Sequence, residues 1–319
     1  FNFTTPQGTW KHLTLPMGYI NAPFAAQDAA ESISRIPIPE GLPHAGEIAL
    51  DTLLSVYIDD ILIYTSPESH AKVLDFVLST LKKHHMQLRP DKAHLFNTRI
   101  YFLGFYLENN KLHVDPAKVE ALRAMPKPVD VKSLMQFLGI VTYQRRFIKD
   151  MAKNTFHITN LLKKESPWIW SPECDREHDY LVSSLISPPA LCMPDYSRTM
   201  YLRTDACGYG IGCVLGYYGN SRRERNVMSY QSRKLTIHEQ KWDTRRRECL
   251  AIVYFVEKNR KYLLGKRFVI ESDHRNLTWL SNVKESTAQL YRWSVLLQQY
   301  DFEFVYTPGP QLEDADALS

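Results

Sequence analysis

Val56-Tyr57-Ile58-Asp59-Asp60-Ile61-Leu62-Ile63-Tyr64 constrains this chain more than any other stretch. Two adjacent carboxylates stand between two apolar, β-branched-rich runs. That pattern fits a buried strand–turn–strand hairpin with the Asp pair at its tip. Like charges held side by side repel, so such a pair calls for a cation. Hard oxygen ligands at a tight turn suit Mg²⁺. On these residues alone an ordinary hairpin with a polar turn remains open beside the metal-binding one.

The chain has 319 residues, 44% hydrophobic and 23% charged, enough for two or three cored domains. A formal net charge of +4 is compatible with a phosphate-backbone partner without demanding one. Cys174, Cys192, Cys207, Cys213 and Cys249 show no C-x-x-C spacing, which argues against a zinc site and a disulfide framework and for a reducing compartment. No apolar stretch reaches membrane-spanning length, so no membrane partner is expected.

Residues 1–114 alternate strand-like runs with turns, and Ile36–Pro43 is a Pro/Gly-rich loop. Ala71–His85 reads as a helix whose apolar Val73, Phe76, Val77 and Leu81 fit the helical period loosely. From Asp115, an N-cap followed by Pro116, the pattern turns helical. Leu134, Phe137, Leu138 and Val141 mark an amphipathic helix begun near Asp130, and Glu173–Leu185 marks another. Pro188-Pro189 breaks the chain, and a domain boundary is placed near Pro194. Beyond it, strands are predicted at Met200–Asp205, Gly210–Leu215, Phe268–Asp273 and Phe302–Tyr306. Helices are predicted at Arg245–Tyr262, with Cys249, Ile252, Val253 and Val256 as its apolar stripe, and at Ala288–Gln299.

Around the acidic hairpin, Leu15-Pro16-Met17-Gly18-Tyr19-Ile20-Asn21-Ala22-Pro23 leads to Gln27, and Phe102-Leu103-Gly104-Phe105 and Asp115-Pro116-Ala117-Lys118 follow. The second half carries Thr204-Asp205-Ala206, Arg247-Glu248-Cys249-Leu250-Ala251-Ile252-Val253, Ser272-Asp273-His274 and Ala315-Asp316-Ala317-Leu318-Ser319. In this order the segments resemble the reverse transcriptase–ribonuclease H portion of Ty3/gypsy-type long-terminal-repeat retrotransposon Pol polyproteins, from Phe1 to Ser319. The resemblance implies an α+β multidomain fold. Residues 1–114 would form partial fingers and palm, 115–194 a mainly helical thumb or connection, and 195–319 a ribonuclease H-like mixed sheet flanked by helices. A start at Phe1 and a stop at Ser319 are expected to be cuts inside a longer polyprotein.

For the polymerase half, the resemblance makes Asp59 a metal ligand and Asp60 a second, weaker contributor. Pro16, Gly18 and Gln27 fall in the segment that lines the nucleotide and template pocket. Lys92 takes the place of a basic residue near the triphosphate, and Leu103 and Gly104 belong to the grip on the primer strand. The family's third aspartate lies upstream of the matched segment, and Asp51 is badly placed to substitute, so hydrolysis is expected of this chain ahead of synthesis. Ala26 and Leu312 depart from the family's usual aromatic and Asn.

For the hydrolase half, Asp205, Glu248, Asp273 and Asp316 are the implied metal-binding catalytic carboxylates, which hydrolysis by two Mg²⁺ ions requires. Singly each is weak, since an Asp at a strand end is commonly a cap or turn residue. His274 is read as structural, Arg245–Arg247 equally as a phosphate contact or a solvated helix face, and Trp168, Trp170, Trp242, Trp279 and Trp293 as core. The implied function is copying RNA into DNA and degrading the RNA of the hybrid. Its cofactor is Mg²⁺, with Mn²⁺ as a substitute. Its partners are RNA template, DNA primer, RNA/DNA hybrid and dNTPs, with a homo-oligomer compatible. The implied locations are cytoplasmic virus-like particles and the nucleus. The competing reading is a non-catalytic nucleic-acid-binding remnant or domesticated element.

Overall fold

A computed structural model describes residues 2–12, 18–48, 53–164, 166–273 and 288–308. The chain separates into two compact units, Phe1–Phe102 and Leu103–Ser319.

The first unit opens with an exposed antiparallel hairpin, β1 (Asn2–Thr5) and β2 (Gly8–Lys11). Helix α1 (Ala22–Ser34) follows, then the hairpin β3 (Leu54–Tyr57) and β4 (Asp60–Ile63), helix α2 (Pro67–Lys83) and strand β5 (Arg99–Phe102). Its core gathers Ile33, Ile38, Leu53, Leu54, Val73, Val77 and Leu81. The helix expected over 71–85 starts four residues earlier, because Ser66 is extended and Pro67 takes the first helical position, where its missing N–H costs nothing. Val73, Val77 and Leu81 recur every four residues and are all buried, so the inner stripe of α2 is regular; Phe76 lies beside it.

The second unit begins with β6 (Phe105–Glu108) and β7 (Lys111–Val114), an antiparallel pair. Helices α3 (Pro116–Arg123), α4 (Val131–Tyr143), α5 (Phe156–Asn160) and α6 (Pro172–Ile186) follow, and the short β8 (Leu191–Cys192) returns to pair with β7. The helix starts obey local chemistry. The Asp115 carboxylate accepts Ala117 N at 2.9 Å, and Asp130 with Ser133 forms a capping box on α4. Glu177 of α6 caps α5 from outside, its carboxylate accepting His157 N and Ile158 N, both at 2.9 Å.

A five-stranded mixed sheet completes the unit. Its strands are β9 (Met200–Ala206), β10 (Gly210–Tyr218), β11 (Arg225–Lys234), β12 (Phe268–Ser272) and β13 (Phe302–Tyr306), in the order β11-β10-β9-β12-β13. The first three are antiparallel neighbours, whereas β12 runs parallel to both β9 and β13. Helices α7 (Ile237–Gln240), α8 (Thr244–Lys258), α9 (Arg260–Leu263) and α10 (Ala288–Leu297) accompany it. Alternation along β9 divides the burial: Met200 and Leu202 join Cys249, Ile252 and Val256 of α8, while Tyr201 joins Leu134, Phe137 and Leu181 of the helical segment. The sheet is therefore covered on both faces.

Three local expectations are corrected. Strand β11 was not anticipated. The helix expected over 245–262 is broken at Asn259, whose side chain turns to the Phe255 carbonyl (2.8 Å) and to Gln231. The hairpin is not buried at its tip: Leu54 and Leu62 are buried, but Tyr57, Ile58, Asp59 and Asp60 are exposed.

Between β9 and β12 lies a buried charge network. Glu271 accepts Arg203 Nε at 3.1 Å, Arg225 Nη2 at 2.9 Å and the Tyr218 hydroxyl at 2.6 Å. The carboxylate draws charge-assisted bonds from two guanidinium groups, which offsets its desolvation. Burial, then the bond to Glu271, pushes the Tyr218 hydroxyl above its usual range.

A candidate metal centre at the ends of two parallel strands

The parallel pairing of β12 with β9 sets the site. Phe268 faces Met200 and Glu271 faces Arg203 along the ladder. Continued two residues further, the same register brings Asp273, just past the end of β12, beside Asp205 near the end of β9. Glu248 comes from the first turns of α8, whose start is fixed by the Asp243 carboxylate accepting Arg246 N at 2.9 Å. The carboxylates of Asp205, Glu248 and Asp273 lie with ligand atoms within 4.8 Å of one another. Among the described residues no other acidic, His or Cys group of three or more comes together in this way.

Electrostatics mark the arrangement as unbalanced without a cation. Glu248 is only 3% exposed, and its Oε2 is buried with no hydrogen-bond partner. Burial first, then the charges of Asp205 and Asp273, pushes its carboxyl up to about 8. Asp205 reaches solvent on one side, yet the protein packed around its base, then Asp150 and Asp273, raises it as well. An orphaned buried acceptor among three converging carboxylates fits a hard divalent cation; an all-oxygen donor set disfavours a soft metal. Asp316 lies outside the described residues, as do Pro16, Asp51, His274, Trp279 and Leu312.

In the first unit, the acidic turn differs from its expected form. Tyr57 pairs with Asp60, so the two-residue tip is Ile58-Asp59 and Asp60 already belongs to β4. Ile58 adopts φ +55°, which is unfavourable for a β-branched residue. Gln27 braces that tip: its Oε1 accepts Ile58 N at 2.5 Å and its Nε2 donates to the Val56 carbonyl at 3.3 Å. Gly18 has φ +81°, and Lys92 ends an exposed single turn, Pro90–Lys92.

In the second unit, Leu103 and Gly104 both have positive φ, 49° and 70°. Their carbonyls are held by Tyr143 Oη (2.6 Å) and Lys118 Nζ (3.1 Å). Phe105 stacks on Tyr143 with centroids 5.4 Å apart. Of the arginine run, Arg246 sits over the Trp242 ring at 5.0 Å and Arg247 donates to Thr244 Oγ1 at 3.3 Å. Trp168, Trp170, Trp242 and Trp293 pack partly buried against the two cores of this unit. Sequence reasoning did not single out Asp150 and Lys153, which line the same cleft as Asp205.

Comparison with known proteins places these features. Residues 1–107 match the family described as "Reverse transcriptase (RNA-dependent DNA polymerase)", and residues 195–300 match "RNase H-like domain found in reverse transcriptase". The chain is 33% identical over 330 residues to the retrovirus-related Pol polyprotein from transposon opus of Drosophila melanogaster, covering 99% of this chain and 32% of that protein. The corresponding protein from transposon 297 of the same organism is 34% identical, covering 99% and 28%. The Tf2-3 polyprotein of Schizosaccharomyces pombe is 31% identical, covering 99% and 23%. The chain thus spans a third or less of the length of the curated relatives it matches. Among solved structures, a foamy viral protease-reverse transcriptase in complex with RNA/DNA hybrid superimposes with a TM-score of 0.74 at 20% identity, covering 97% of this chain and 41% of that one. The likeness in fold therefore extends over both units at low sequence identity.

Proposed function

We propose, for a chain that belongs to the reverse transcriptase–ribonuclease H portion of Ty3/gypsy-type Pol polyproteins, that it hydrolyses the RNA strand of RNA/DNA hybrids at Asp205, Glu248 and Asp273. The observation that carries this reading is the convergence of those three carboxylates with Glu248 buried and its Oε2 unpartnered. Asp205, Glu248 and Asp273 would hold the cation, with Asp316 proposed as a fourth ligand. Mg²⁺ is the ion of choice and Mn²⁺ its substitute. A metal bound there would activate a water and neutralise charge on the departing 3′-oxygen. The side chains' own part is to give up the Glu248 proton as the cation binds, to hold the cation at the strand ends and to leave the Asp205 side open to the hybrid.

Synthesis is the second activity of this reading. Asp59 and Asp60 would hold metal at the exposed hairpin tip; Gly18, Gln27 and Lys92 would meet the dNTP and template, and Leu103 and Gly104 the DNA primer. Residues 1–114, 115–194 and 195–319 are assigned to fingers and palm, thumb or connection, and hydrolase. The convergence of three carboxylates at the hydrolase centre is what supports hydrolysis most directly.

The test is cleavage of a labelled RNA strand in an RNA/DNA hybrid, with Mg²⁺ and with EDTA, beside primer extension on the same duplex. Mg²⁺-dependent cleavage is expected. No cleavage combined with tight, salt-sensitive hybrid binding would overturn this reading in favour of a binding remnant.

A further inference from the structure

Asp150 stands between α4 and α5, far from the hydrolase carboxylates in sequence and beside one of them in space. Its Oδ1 lies 2.8 Å from the position a Cβ on Gly212 would take. Gly212 is the cross-strand partner of Asp205 in the β9–β10 ladder. Asp150, Lys153, Asp205 and Gly212 line one small cleft. The missing side chain at Gly212 is what leaves room for the Asp150 carboxylate.

The segment bearing Asp150 is anchored to the sheet. Ala152 N donates to Ser232 Oγ of β11 at 3.0 Å. The Ala152 methyl sits 3.2 Å from the Cβ position of Gly210. Further along, Lys234 of β11 donates to Thr159 Oγ1 at 3.0 Å and to Asn160 Oδ1 at 3.2 Å, and Phe156 lies with its ring 4.3 Å from that of Tyr209. Asp150 itself has φ +47°, and its carbonyl accepts Lys153 N and Asn154 N, both at 3.0 Å. An acidic residue is thus held in left-handed backbone where the cleft opens beside Asp205. The buried, unpartnered Glu248 Oε2, in the carboxylate cluster that includes Asp205, is the independent sign that this cluster is built to take a cation.

We propose that Asp150 is a further carboxylate of the hydrolase centre, a positioning residue delivered by the helical segment that strengthens cation binding beside Asp205. The inference rests on the hydrolase reading above. It makes docking of residues 150–160 against β10 and β11 part of assembling that centre.

Mn²⁺ binding to the nucleic-acid-free protein, read as free Mn²⁺ by electron paramagnetic resonance, tests it without turnover. Asp150→Asn keeps the size and suits left-handed backbone. It is expected to weaken Mn²⁺ binding on the order of tenfold, the usual effect of an outer carboxylate. The Mg²⁺ concentration for half-maximal hybrid cleavage should rise in step, with the rate at saturating Mg²⁺ near wild type. Gly212→Ala lies in ordinary backbone and adds a Cβ 2.8 Å from Asp150 Oδ1, too close for the carboxylate to stay where it is. It should reproduce the loss, and the double variant should lose no more, since both changes remove one interaction. Asp205→Asn serves as control. If Asp150→Asn binds Mn²⁺ like wild type while Asp205→Asn does not, the role of Asp150 is overturned and the hydrolase reading stands. If Asp205→Asn also binds like wild type, both fall.

Discussion

Gln27 holds the amide of Ile58, at the exposed tip of the acidic hairpin, through a 2.5 Å hydrogen bond from helix α1. A side chain to which the family resemblance assigns a place along the nucleotide and template pocket fixes the strained Ile58-Asp59 turn that precedes Asp60. Gln27→Ala should cost about 1 kcal/mol locally, and exchange of the Ile58 amide should quicken several-fold. Unchanged exchange would show that the turn holds itself.

The raised Glu248 carboxyl gives the metal-free protein a pH dependence of known sign. Its folded value, about 8, exceeds the ordinary 4.5. Between those values the folded state binds the extra proton, so stability falls as pH rises from about 4.5 towards 8. Thermal melts in EDTA should show that decline, Glu248→Gln should reduce it to the part that the likewise raised Asp205 contributes, and added Mg²⁺ should oppose it. A metal-free melting temperature rising over this range in proportion to Glu248 ionisation would contradict the account.

Glu271 is the pivot of the buried Arg203–Arg225–Tyr218 network. Removing one member of a buried ion pair strands the others, so Glu271→Ala should cost about 3–5 kcal/mol in urea unfolding. Tyr218→Phe, which removes a single bond, should cost about 1 kcal/mol. Equal losses for the two would mean that the ion pairs contribute little.

Gly104 combines left-handed backbone with crowding: an added Cβ would meet Lys118 Nζ and lie 2.9 Å from Tyr143 Oη. Gly104→Ala should destabilise by about 1–2 kcal/mol. Tyr143→Phe should loosen only the Leu103 carbonyl, seen as faster local amide exchange with a nearly unchanged global melt.

Much of this architecture is legible in the chain. Asp115-Pro116 and Asp130 announce their helices because capping is local chemistry. The strand Phe302–Tyr306 is found at its predicted bounds. Strand β11 escapes because it is the sheet edge: buried Met228 and Tyr230 are interleaved with half-buried Ser229, Gln231, Ser232 and Arg233, which blurs the two-residue period. The closeness of Asp205 and Asp273 depends on a parallel register that no local pattern encodes. Asp150 is further from reach, since only docking of the helical segment brings it to Gly212.

The central claim is that Asp205 holds the cation that cleaves RNA, and Asp205→Asn tests it most directly. The variant keeps size and hydrogen bonding while removing charge from the centre. Measured side by side, cleavage of the hybrid's RNA strand in Mg²⁺ should vanish, while hybrid affinity at fixed salt stays close to wild type. Retained cleavage by Asp205→Asn would contradict the assignment.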